Sequence, residues 1–397
     1  MIAWLGFLLA VVVVIVGARY QLTLALLAGT LVLAVFTLSF SDFINSVINT
    51  ATSANTIILI IALGLIPIIG GILQVSGKLE DIINNLRVGR RPFLATSPAL
   101  LGLLPIPGGA LFSAPLIDKT AKELDGHVRT GINVWYRHVL YFIYPISYAL
   151  IIPADLANLS IYRIIVFQFP LFILTVVLGY FFILRKVDGD MKYDSDHQPR
   201  ALIAPLMVLL AAPIVHFILS YTLELPVENL SVLVAVLLSL VLAIIIIGDN
   251  KGYVIQESIK KMKPWNFMVL IFCLYLFINV FQSSGIGNLI EDLNMPDIVL
   301  IIGFGFFLGL ATGRIILPAS IIIPIYMTGY GLETMPLLAF SLMYLSIFLG
   351  YVITPVHPCI SISLEYFEGR MDDFLKLMAP MILISLGLAS VLFLLFL

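Results

Sequence analysis

The sequence predicts an all-α polytopic membrane protein. It is built from two repeats of opposite topology, each with five transmembrane helices and one re-entrant hairpin. Three observations lead there. Of the 397 residues, 61% are hydrophobic and 11% are charged, where an ordinary soluble domain has about 25% charged residues. The basic residues cluster in alternate loops. Finally, a pattern of motifs recurs at a spacing of about 208 residues.

The composition comes first. Mean hydropathy is +1.11, too apolar for a fold that must cover itself with polar surface. A water-soluble enzyme is therefore excluded. The net charge of -2 gives no footprint for nucleic acid. Cys273 and Cys359 are far apart, too few for a disulfide scaffold and without zinc-finger spacing.

Hydropathy places spans at 2–18, 21–40, 54–75, 130–153, 160–184, 201–222, 228–248, 265–284, 335–355 and 373–397. The first span has no basic leader and reads as an anchor. The longest polar gaps, 185–200 and 249–264, are too short to fold alone. Two further apolar stretches, 92–118 and 297–328, are broken by Gly and Pro. With both termini outside, and with 92–118 entering and leaving on one side, every Lys and Arg except Arg137, Arg163 and Arg314 lies inside. A single crossing by 92–118 would destroy that asymmetry.

The repeat divides the chain into 1–200 and 201–397. Gln74-Val75-Ser76-Gly77 answers to Gln282-Ser283-Ser284-Gly285. Gly102–Pro115 answers to Gly309–Ser320, and Tyr144-Pro145-Ile146-Ser147 answers to Thr354-Pro355-Val356-His357-Pro358. Five spans is an odd number, so the second half enters the membrane inverted, a layout of many secondary transporters. Each hairpin arm spans about 16–20 Å, roughly half the hydrocarbon core. The Gly- and Pro-rich tips then free backbone groups near the midplane. These must be buried in protein or line a watery cavity. Freed N–H groups suit anions and freed carbonyls suit Na⁺.

The candidate binding residues follow from these breaks. Pro107, Gly108 and Gly109 form the first tip, and Thr312, Gly313 and Arg314 the second. Ser113, Ser147 and Thr354 offer hydroxyls nearby, as does Ser320, and Pro355 and His357 flank the last break. Arg314 is the sharpest of them. A guanidinium at membrane depth needs a partner, and Asp118, Asp155, Asp297 and Glu333 all map to the edges. An anionic substrate supplies that partner, and the guanidinium fork fits a carboxylate or phosphate. A structural role on backbone carbonyls is the competing reading. His357 has two readings, an anion donor or a carrier of a coupling proton. Arg137 and His138 are expected to snorkel to the cytoplasmic interface, and His216 to be structural.

The chain resembles the ion transporter superfamily of gluconate, citrate, dicarboxylate and arsenite permeases. Leu104–Pro115 is similar to the first-hairpin motif of a prokaryotic membrane family of unknown function within it, and Thr354–Pro358 fits the same pattern. The resemblance covers nearly the whole chain. It implies a scaffold domain of spans one to three and six to eight, and a transport domain of hairpins with spans four, five, nine and ten. It also implies a homodimer and elevator-type alternating access. Sodium-coupled dicarboxylate members carry Ser-Asn-Thr at both tips. Pro107-Gly108-Gly109 and Thr312-Gly313-Arg314 stand there instead, so neither sodium coupling nor dicarboxylate specificity follows.

The expected function is secondary transport of a small organic anion across the plasma membrane of a prokaryote, coupled to Na⁺ or H⁺ and with no resident cofactor. The metal content is left open. The alternatives are exchange or export of an inorganic oxyanion, a channel subunit, and an intramembrane enzyme. The last finds no carboxylate pair or His-x-x-x-His motif at depth.

Overall fold

A computed structural model describes residues 2–106, 108–191, 193, 198–223, 225–227, 229–248, 250–291 and 296–397. Among these residues the regular structure is helical. The first half runs α1 (Ile2–Gly17), α2 (Leu22–Thr37), α3 (Phe40–Thr52), α4 (Ala54–Val75) and α5 (Lys78–Asn85). It continues with α6 (Arg90–Gly102), α7 (Ala110–Thr120), α8 (Gly126–Val139), α9 (Tyr148–Leu156) and α10 (Ile161–Phe182). The second half runs α11 (Pro199–Thr222), α12 (Leu230–Ile246), α13 (Lys251–Met262), α14 (Pro264–Ser283) and α15 (Ile286–Glu291). A π-helical turn, Val299–Phe304, then leads into α16 (Gly305–Thr312). The chain ends with α17 (Ile316–Gly329), α18 (Leu337–Tyr351), α19 (Pro358–Tyr366) and α20 (Met371–Phe396).

Five of these helices are long and apolar enough to cross a membrane, and several shorter ones are equally apolar. The chain is a multi-pass membrane protein. Its outer surface carries Leu and Ile from α1, α2, α11, α12 and α20, the side chains a lipid-facing shell requires. Inside, small residues set the helix spacing. A Cβ on Gly29 of α2 would fall 2.2 Å from Val14 of α1. Between α16 and α18 the approach is reciprocal: a Cβ on Gly309 would fall 2.3 Å from the Ile347 carbonyl, and one on Gly350 would fall 2.2 Å from the Phe306 carbonyl.

The segment between the second and third spans and the polar gap before the eighth hold the amphipathic helices α3 and α13. Ser39 caps α3 through the Asp42 amide. The polar side of α3 points inward, where Thr50 accepts a 2.7 Å hydrogen bond from Asn279 of α14. Phe40, Ile44 and Ile48 face outward. Short helices of this kind escaped a hydropathy window because their apolar residues occupy one stripe. The last broken span also reaches further than 335–355. It runs through α18, a break at 352–357, and α19 to Tyr366.

Both interrupted stretches are helical hairpins whose ends meet. At the base of α6 and α7, Arg90 donates from Nε and Nη2 to the Thr120 carbonyl at 2.8 and 2.6 Å. At the base of the second hairpin the Tyr330 hydroxyl donates to Asp297. The helices sort into two packing groups. In one, α1–α4 contact one another and α11–α14. In the other, α6–α10 contact one another and α16–α20. A polar anchor joins them: Asp155, at the end of α9, accepts from Asn229 at 2.7 Å, from Asn55 at 3.2 Å and from the Tyr275 hydroxyl.

The α16–α18 contact leaves no room for a side chain. A Gly309→Val variant is expected to lose about 1–3 kcal/mol of stability through overpacking. Gly387→Val, where an added Cβ meets nothing within 4 Å, is expected to be neutral. Thermal unfolding of the two purified variants in detergent checks the pair.

Candidate functional site

The first hairpin tip is held by a buried arginine. Helix α6 stops at Gly102, and Gly108 adopts a left-handed φ of 68° before α7 begins. The last carbonyls of α6 therefore lack helical partners. Arg137, in the last turn of α8, supplies them. Its Nη2 donates to the Leu101 carbonyl at 3.1 Å and its Nη1 to the Gly109 carbonyl at 3.0 Å. Two glycines make the approach possible. A Cβ on Gly109 would lie 1.9 Å from Arg137 Nη2, and one on Gly102 would lie 1.9 Å from the Arg137 carbonyl. A planar fork with several N–H donors can bridge two carbonyls in this way, and an ammonium cannot.

The second tip rests on the second broken helix. Gly313 has φ 60°, and a Cβ there would sit 3.0 Å from the His357 amide nitrogen. The neighbouring Arg314 is half-buried. Among the described residues it makes no hydrogen bond and no ion pair. The two halves thus treat their arginines differently. Arg137 is bonded to the hairpin backbone, and Arg314 is left with its donors open.

Both tips open into one cavity of about 370 Å³. Its walls come from Gly108, Gly109, Arg137, Gly313, Arg314 and His357, with His138, Tyr141, Tyr148, Tyr351 and Cys359. Leu22 of α2 and Phe267 and Leu270 of α14 close it from the other packing group. Among the described residues no Asp or Glu lines it. The cavity therefore carries two guanidinium charges in an apolar setting with no internal counter-ion. Such a site attracts an anion and offers a fork to hold one. His357 stacks on Tyr351 with ring centroids 4.0 Å apart, and the His138 ring lies 4.8 Å from it.

Of the residues expected at the site, the structure gathers Gly108, Gly109, Gly313, Arg314 and His357 around the cavity. Pro107 lies outside the described residues. Ser113, Ser147, Thr312, Thr354 and Pro355 do not line the cavity. Ser113 donates to Asn133, which in turn donates to Ser363 at 2.9 Å, tying α7, α8 and α19 together. Thr312 donates back to Leu308 at 2.7 Å, and Ser320 to Leu317 at 2.8 Å. Thr354 accepts from the Val356 amide inside its own break. Ser147 stands at the N-cap of α9. His216 hydrogen-bonds the Tyr162 hydroxyl at 2.9 Å.

Arg137 and His138 need a correction. Snorkelling to the interface was the expectation, yet they are 5% and 1% exposed. Their span breaks at residue 143, so the end of α8 lies inside the protein where the hairpin carbonyls need donors. Tyr148, Tyr351 and Cys359 were not singled out by sequence. The only signal was their place within a few residues of the two breaks.

The fold is one that a membrane transporter also has. The crystal structure of the Alcanivorax borkumensis YdaH transporter superposes with a TM-score of 0.59 at 18% identity, over 89% of this chain and 86% of that one. The chain belongs to the family described as Protein of unknown function (DUF401), which matches residues 2–396. No curated protein sequence matches it.

The two arginines are expected to respond differently. Arg137→Ala removes two charge-assisted bonds, each worth roughly 1.5–3 kcal/mol, and takes its side-chain donor from the Leu101 carbonyl, while the Gly109 carbonyl keeps the Phe112 amide at 3.1 Å. It is expected to lower the melting temperature sharply, and Arg137→Lys is expected to rescue little. Arg314→Ala breaks no bond among the described residues and is expected to melt close to the wild type. Differential scanning fluorimetry of the three variants separates the roles.

Proposed function

We propose that the protein is a secondary transporter of a small organic anion of the carboxylate type, working by alternating access. The observation that carries this reading is Arg314. It is a guanidinium without a partner among the described residues, in a cavity with a second arginine and no lining carboxylate. The apolar walls, including Leu104, Ile106, Phe267 and Ile316, favour an anion with a carbon body over sulfate or phosphate. The fold shared with a transporter agrees with the reading.

The order of elements supports an inverted repeat with halves 1–200 and 201–397. Each of α1–α10 has a counterpart in α11–α20, from the amphipathic pair α3 and α13 to the broken pairs α8–α9 and α18–α19. Gly77 and Gly285 both take left-handed φ, 74° and 68°, just before α5 and α15. Under this reading the two hairpins are re-entrant from opposite sides. The packing group α1–α4 with α11–α14 is the scaffold, and the hairpins with α8–α10 and α18–α20 move against it. Both groups line the cavity, so sliding one past the other changes which side has access. His357, buried beside the site, is the candidate carrier of a coupling proton, and backbone carbonyls at the tips are the candidate Na⁺ ligands.

A thermal-stability screen tests the substrate class. Gluconate, citrate, lactate, succinate, sulfate and phosphate are compared in Na⁺ and in K⁺ at two pH values. An anion at 100 times its Kd is expected to add about 2.7 kcal/mol. The shift is expected from an organic anion, lost in Arg314→Ala, and dependent on either Na⁺ or pH. A shift from sulfate or phosphate alone would replace this reading with inorganic oxyanion exchange. No shift from any anion would overturn it.

The Asp155 anchor crosses the boundary between the proposed scaffold and the moving group. Asp155→Asn leaves the cavity intact but weakens three hydrogen bonds across that boundary. It is expected to change uptake rate by several-fold while the anion-induced shift stays near the wild-type value. Uptake into proteoliposomes alongside the thermal shift checks this.

A further inference from the structure

One wall of the cavity holds a second kind of chemistry. His138 closes α8, His357 caps α19, and Cys359 lies in the first turn of α19. One ligand atom from each lies within 4.8 Å of the others. The arrangement of their remaining atoms is specific. His138 Nδ1 sits 2.7 Å from the Val134 carbonyl, which makes it the N–H donor and leaves Nε2 with a lone pair. That second-shell bond is how metal-binding histidines are commonly oriented. His357 is 2% exposed, and its Nδ1 has no hydrogen-bond partner. Its ring is fixed by stacking on Tyr351, so the nitrogen cannot turn freely to find one. A buried polar atom left this way is costly unless a ligand satisfies it.

We propose that His138, His357 and Cys359 bind a borderline-soft divalent transition metal ion, with Zn²⁺ the natural occupant. Two imidazoles and a thiolate match that class, and with no carboxylate among the described residues lining the cavity Ca²⁺ or Mg²⁺ has no side-chain oxygen anion there to bind. Around a tetrahedral ion the ligand atoms stand about 3.4–3.6 Å apart, so side-chain rotations on the order of 1 Å seat it. As the metal–sulfur bond forms, the Cys359 thiol proton leaves to water.

Three protein ligands leave the fourth position open toward the cavity. Arg137 and Arg314 face the same space and repel a bare cation. The carboxylate of the transported anion removes that conflict by taking the fourth position and meeting Arg314 as well. This half of the inference rests on the anion-transport reading of the same cavity, with Na⁺ rather than a proton on His357 as the coupling ion, because a metal-bound imidazole has no lone pair for a proton. The consequence is reciprocal: the ion tightens the anion, and the anion tightens the ion by the same factor.

The test uses full-length purified protein treated with EDTA and then titrated with Co²⁺. A thiolate-to-cobalt charge-transfer band at one ion per chain is expected. It should vanish in Cys359→Ser and Cys359→Ala and persist in Cys273→Ser, whose thiol is neither in this group nor in the cavity wall. Lactate or succinate is expected to tighten Co²⁺ binding about ten-fold. No band in the wild type, or a band retained in both Cys359 variants, would overturn the site. A band indifferent to both anions would overturn the shared coordination. The two readings fail separately. An anion-induced thermal shift in EDTA without a cobalt band removes the metal and leaves anion transport. A cobalt band without any anion shift removes anion transport and leaves the metal.

Discussion

The structure depends on how broken backbone is satisfied in the interior of a membrane protein. Four interruptions, two hairpin tips and two helix breaks, converge on one region. Each frees carbonyl and amide groups that hydrocarbon cannot solvate. At the first tip the solution is a side chain from a neighbouring helix, with Arg137 hydrogen-bonded to the carbonyls of Leu101 and Gly109. At the second it is direct contact of backbone on backbone, with Gly313 packed against the amide of His357. These two contacts fix the tips that form opposite walls of the cavity.

That constraint explains the glycines better than flexibility does. Gly102 and Gly109 are needed because a guanidinium and its own backbone carbonyl occupy the space a Cβ would take. Gly309 and Gly350 let α16 and α18 touch at the backbone, which sets the height of the second tip. The polar web of Ser113, Asn133 and Ser363 then fixes α7 and α19 to α8. These residues hold the site in place without facing it.

A rigid assembly of this kind isolates one charged group. Arg137 is bonded to the fold, and its charge is fixed within the wall. Arg314 adds a second positive charge with its donors open. The combined field, together with the buried histidines and Cys359, gives the cavity a chemistry that an apolar lining alone would lack. The proposed anion and the proposed metal ion are two answers to the same imbalance. Each supplies a group that the described residues do not.

Sequence alone determined the class of fold, because hydropathy and the placement of Lys and Arg follow from local composition and lipid. It also located the breaks, since Gly and Pro act where they stand, and it picked out Arg314 and His357 from their position at those breaks. It gave less on the amphipathic α3 and α13, whose stripes average out in a long window. Tertiary structure alone decided which hydroxyls face the cavity: Thr312 and Thr354 bond within their own turns, while Ser113 is drawn to Asn133 of α8. It alone turned Arg137 from an expected surface charge into the clamp on the first tip. It also brought His138, more than two hundred residues away in the chain, within reach of His357 and Cys359. Such pairings depend on long-range packing, which no local pattern of residues encodes.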